Sequence, residues 1–157
     1  MQTNKSKNQN TQLPNQVVAD QSQLELAVSN FFNCYSVEDT ENRIFRMLEE
    51  WIYDDGIKHS IRNADDVSAF TVALKNLLVL TVNADLKPSS VLAAEISNLN
   101  EIFGIAKTQV LLDTLLQSWF FSKHEAPELF DICSNVTHCH DLVKFTRVLA
   151  KEGGFLC

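Results

Sequence analysis

The few residues that break helices constrain this chain more than any other feature of its sequence. Across 157 residues there are four glycines (Gly56, Gly104, Gly153 and Gly154) and three prolines (Pro14, Pro88 and Pro127). Gly56, Pro88, Pro127 and the Gly153-Gly154 pair stand where the apolar periodicity breaks, as helix punctuation should. Between these stops, apolar residues recur at three- and four-residue spacings from Asp20 onward. The pattern predicts an all-α fold: a single helical bundle of six or seven helices over 21–157.

Residues 1–20 are different. They read "MQTNKSKNQNTQLPNQVVAD", with Lys5, Lys7 and Asp20 as their only charges. So polar a segment cannot bury enough apolar surface to offset its chain entropy, so a disordered tail is expected. Its start has no apolar core of the kind a secretory signal carries.

The first helix is expected from Gln21 to Cys34, with Leu24, Ala27, Val28, Phe31 and Phe32 inward. Ser36 is placed to cap a second helix, with Glu38 and Asp39 in its first turn. Ile44, Met47, Leu48 and Trp51 form its apolar stripe, while Arg43, Arg46, Glu49 and Glu50 face water. A third helix is expected to start at Asn63 as N-cap and to run to about Val82. It is apolar nearly all round, which predicts a central position. The alternative, a strand over "LLVLTV", would need a partner strand for its backbone groups, and no second candidate exists. Ser89 or Ser90 should cap a fourth helix. Gly104 either ends it or lies within one long helix reaching Lys123, with Ile102, Ala106, Val110 and Leu116 on an apolar path. Pro127 suits the first turn of a short sixth helix with Leu129, Phe130 and Ile132 inward. A final helix should run from about His138 to Glu152 and stop at Gly153.

Charge narrows the function classes. The formal net charge is −7, which opposes nonspecific attraction to nucleic acid or anionic lipid. No apolar stretch reaches membrane-spanning length; the most apolar run, 72–82, holds Lys75 and Asn76. The spacing of Cys34, Cys133, Cys139 and Cys157 suggests no disulfide framework. A cytoplasmic protein with reduced thiols is expected.

"CSNVTHCH", residues 133–140, is the nearest thing to a chemical signature. Cys133, His138, Cys139 and His140 invite a metal site. Structural zinc usually takes four ligands as two close pairs, and no C-x-x-C pair is present. On a helix, residues two apart point about 200° apart, so His138 and His140 do not converge. A helical reading makes Cys139 a small buried hydrophobe in line with Leu142, Val143, Thr146 and Leu149. A thiolate at a helix N-terminus is the other possibility for Cys139, because the dipole there lowers a thiol pKa. A thiol enzyme would also need a base and an orienting group, and no local motif of one is present.

His140, Lys144, Arg147 and Lys151 recur at helical spacing and form one basic stripe. It could face nucleic acid or an acidic partner, or it could simply complement the C-terminal end of its helix dipole. The second reading is favoured by the negative net charge. "EEWIYDD", 49–55, could attract a cation, but it lacks the alternating ligands of a calcium loop and is followed by Lys58, His59 and Arg62. "KHEAPEL", 123–129, fails as a zinc motif: Glu128 stands where histidine is needed and Pro127 interrupts the helix. No glycine-rich phosphate loop or nucleophile elbow occurs.

"WFF", 119–121, spreads three large rings over more than half a helix circumference. Phe31 and Phe32 do something similar. An outer helix of a bundle has one face to bury, so Trp119, Phe120, Phe121, Phe31 and Phe32 are candidates for a partner or homodimer interface. The expected function is a non-catalytic protein–protein interaction module: an adaptor, regulator or inhibitor, with no cofactor. The alternatives are a metal- or thiol-dependent helical enzyme built on 133–140 and a nucleic-acid-associated regulator using 140–151.

Overall fold

The structure, a computed structural model, describes residues 21–53, 61–84, 90–121 and 128–156. The expected N-terminal tail, the acidic turn at Asp54 and Asp55, and most of the 123–129 motif lie outside the described residues. The elements are all helical: α1 (Gln21–Cys34), α2 (Val37–Tyr53), α3 (Ile61–Val82), α4 (Val91–Ile102), α5 (Ile105–Phe120) and α6 (Leu129–Glu152).

Two predicted caps form. The Ser36 hydroxyl accepts from the Asp39 amide at 3.1 Å, and the Ser90 hydroxyl accepts from the Ala93 amide at 3.0 Å. Each satisfies one of the N–H groups that a helix start leaves over, an effect of about 1 kcal/mol. The third helix is described from Ile61, two residues ahead of the cap predicted at Asn63.

Gly104 settles where the fourth helix ends. Its φ of 78° is closed to ordinary L-residues, and α4 and α5 are separate helices. The predicted apolar path through Ile102, Ala106 and Val110 is therefore wrong: all three are exposed. A helical register cannot be carried across a break. The phase resets after Gly104, and α5 instead buries Thr108, Leu111, Leu112, Leu115, Ser118 and Trp119; Leu116 is half-buried.

The predicted short sixth helix and final helix are one. No glycine or proline interrupts 128–152, and the stretch 134–137 stays helical. Thr137 donates its hydroxyl to the Cys133 carbonyl at 3.0 Å, so that group is satisfied without leaving the helix. Leu129 and Phe130, expected inward, are exposed, while Ile132 packs on the core. His138 consequently sits mid-helix. The C-terminal stop falls where predicted, with the Gly153 amide closing onto Leu149.

The core draws side chains from all six helices. Phe70, Leu74, Leu78, Ile44, Leu112, Leu115 and Leu142 are fully buried, each contributing roughly 1.5–3 kcal/mol relative to exposure. The neighbours are not sequential. The second helix packs on α5 and α6, α3 on α1 and α5, and α4 on α6. The third helix is buried along Val67, Phe70, Leu74, Leu77, Leu78 and Thr81, as expected, but Val72, Val79 and Val82 are exposed. It is not a helix enclosed on every side: α1 and α5 cover one face of it.

Ion pairs cross the helix boundaries. Lys75 meets both carboxylate oxygens of Asp113 at 2.7 Å, joining α3 to α5. Arg43 was expected to face water. It is half-buried, bonded to Asp39 at 2.8 Å and Asp66 at 2.6 Å, with its guanidinium over the Tyr35 and Phe70 rings. Its long apolar stem covers core surface while the head finds carboxylates at the edge. No helix among the described residues is long and apolar enough to cross a membrane.

Candidate functional site

The 133–140 segment lies within α6 and makes just over two turns of it, so its four candidate ligands fan out. Cys133 and His140 are exposed; His138 and Cys139 are buried. Among the described residues no group of three or more His, Cys, Asp or Glu side chains could hold a metal ion.

His138 is committed elsewhere. Its Nε2 lies 2.8 Å from the Thr108 hydroxyl, and its ring stacks on Phe103 with centroids 3.8 Å apart and planes 5° from parallel. The Thr108 hydroxyl donates to the Gly104 carbonyl at 3.1 Å. Which of the two groups donates in the His138–Thr108 bond is set by the imidazole tautomer. Burial holds the His138 pKa down to about 4 despite the opposing pull of Asp141. Phe103 and Thr108, on either side of Gly104 at the α4–α5 junction, thus both meet one histidine of α6. Sequence reasoning treated His138 as a residue of a helix start. A position four before Leu142 on an apolar face was the signal that could have placed it inside.

Cys139 is fully buried, as the hydrophobe reading required. Its surroundings push the thiol up to about 12, by desolvation. The helix start lies ten residues away at Leu129, so no dipole end activates it. Cys139 thus has neither the helix-end position nor the access that an activated thiolate uses.

The basic stripe exists as a row of exposed side chains, but two of its charges, Lys144 and Arg147, are engaged. The Lys144 amine meets Glu95 of α4 at 2.7 Å. The Arg147 guanidinium grips Glu41 of α2 in a two-point contact, with Nη2 to Oε2 at 2.6 Å and Nε to Oε1 as its second bond. His140 lies against the Phe45 ring, 4.9 Å between centroids. Lys151, in the last turn, complements the helix end. Lys144 and Arg147 thus tie α6 to α4 and α2, its two main neighbours.

The aromatic candidates divide. Phe31 and Phe32 are buried, Phe31 against Tyr35 and Phe70, and Phe32 against Phe155. Trp119 is buried beneath Arg46. These three serve the chain's own core. Phe120 and Phe121 are exposed, as are Leu129 and Phe130 at the start of α6, which sequence reasoning had turned inward.

Neither family models, curated proteins nor solved structures give a match to this chain.

Proposed function

We propose that this chain is a non-catalytic helical interaction module of the cytoplasm, working as an adaptor, regulator or inhibitor. Its contact surface is centred on the C-terminal end of α5 and the first turn of α6. One observation carries the reading: Phe121, Leu129 and Phe130 are 72%, 75% and 81% exposed. Large side chains left in water at two helix ends are costly to solvate and supply anchors of the kind that dominate interface energetics. Phe120, also exposed, lies 6.3 Å from Phe121 between ring centroids.

The partner is another protein or a second copy. The test compares the wild type with Phe121→Ser/Phe130→Ser in a pull-down from the native source, with light scattering of both. The reading expects a partner or a dimer retained by the wild type and lost by the double variant at unchanged circular dichroism. Equal capture by both, or a monomer that retains nothing, refutes it.

A further inference from the structure

Among the described elements, α4 is the helix with one main packing partner. It lies on α6, whereas α1 packs on α3 and α6, α2 on α5 and α6, α3 on α1 and α5, and α5 on α2 and α3. Detaching α4 breaks one such interface, and detaching any other helix breaks at least two. The fourth helix also buries little. Leu92 and Leu99 are its buried side chains, against six on α5 and eight on α6. Its first turn borders a cleft of about 420 Å³ that Leu24 and Val28 of α1 and Leu149 of α6 also line. One side of Leu92 therefore faces open space where a close-packed core would supply partner atoms. Glu95 meets Lys144 at 2.7 Å, but Lys144 is exposed and water screens the pair.

The helix can leave without disturbing α5. The Phe103 and Gly104 amides both close onto the Leu99 carbonyl at 3.1 Å, and α5 opens with the Thr108 amide on the Gly104 carbonyl at 3.0 Å. Gly104 thus ends one ladder with its amide and starts the next with its carbonyl, at a φ of 78°. The Thr108 hydroxyl holds that same carbonyl and also meets His138, so this tie between α5 and α6 stays whole when α4 departs. What is lost at this end is the Phe103 stack on His138 and the burial of Leu99.

We propose that α4 is a cover: it detaches from α6 as a unit while the other five helices stay folded, and it uncovers the α6 face between His138 and Leu149. Local opening is easiest where few apolar side chains are buried and few neighbours are met. A free helix of 12 residues is marginal in water, so α4 melts once it is off and gains chain entropy. Opening exposes apolar surface that the closed chain hides. This inference stands apart from the α5–α6 surface, and neither depends on the other.

Hydrogen exchange of the full chain, followed by NMR in a series of urea concentrations below the unfolding midpoint, tests it. The α4 amides at 95–102 should exchange through an opening with weak urea dependence. The slowest amides of α2, α3 and α5 should show the full dependence of global unfolding. Val67→Ala, at a buried position of α3, should speed those slowest amides about tenfold or more. It should leave the α4 amides within about twofold of wild type, because the open form keeps the Val67 contacts. Leu99→Ala should speed the α4 amides about tenfold or more at unchanged tryptophan fluorescence. The proposal is overturned if the α4 amides share the urea dependence of α3, if they follow Val67→Ala in step with α3, or if a folded Leu99→Ala leaves them as protected as in the wild type. The wild-type urea series decides by itself if either variant fails to fold.

Discussion

The His138 imidazole and the Thr108 hydroxyl, 30 residues apart, share a buried 2.8 Å hydrogen bond that ties α6 to the first turn of α5. This contact has a definite protonation requirement, because the site accommodates a neutral ring.

Acid should therefore destabilise the fold through His138. Its pKa is lowered from 6.5 to about 4 in the folded chain, so between those values the unfolded state binds more protons. The contribution is fully present above pH 6.5 and is lost as pH falls toward 4, reaching about 3 kcal/mol at most. Urea midpoints for the wild type and His138→Gln at several pH values in that window measure it. The wild type should lose up to about 1.4 kcal/mol more per pH unit than the variant. Parallel pH profiles would show that His138 is not a buried neutral group.

Thiol reactivity should divide the cysteines. Cys34 and Cys133 are exposed, and Cys139 is buried with its thiol pushed up to about 12. Iodoacetamide at pH 8 should modify Cys34 and Cys133 in the folded chain and reach Cys139 only in denaturant. Peptide mass mapping reads this directly. Cys139→Ser should cost more stability than Cys139→Ala, because a hydroxyl there needs a hydrogen-bond partner.

Gly104 should resist substitution for conformational reasons. At φ 78° and ψ 143° it occupies a region that is almost exclusive to glycine. Space is not the obstacle, since the nearest atom to an added Cβ is the Asn100 carbonyl oxygen at 3.8 Å. Gly104→Ala is expected to lower stability by about 1–3 kcal/mol. A denaturation midpoint equal to wild type would mean that the junction relaxes freely.

Thr40 offers a stabilising change. It is fully buried, and its hydroxyl meets no hydrogen-bond partner among the described residues. Thr40→Val removes that burden and should raise stability by about 1 kcal/mol. Thr71→Val should gain less, because the Thr71 hydroxyl already donates to the Val67 carbonyl at 2.8 Å. Melting temperatures of the two variants decide between equal and unequal gains.

Much of this protein follows from its sequence alone. The helical class, the bounds of α1, the caps at Ser36 and Ser90, the buried stripes of α2 and α3, and the stop at Gly153 are local consequences of apolar spacing and of side chains that satisfy or release nearby backbone groups. Those forces act over three or four residues, so they are visible in the chain. What the tertiary structure alone decided is which helix meets which. Leu111 and Val110 are neighbours of similar chemistry, yet one is buried and the other exposed, because the phase of α5 is set after the Gly104 break by its contacts with α2 and α3. The same holds for Lys144 and Arg147 of the basic row, paired with Glu95 and Glu41 from distant helices, and for His138, whose role exists only where α6 passes the α4–α5 junction. Packing partners come from parts of the chain tens of residues apart, and no local rule encodes their meeting.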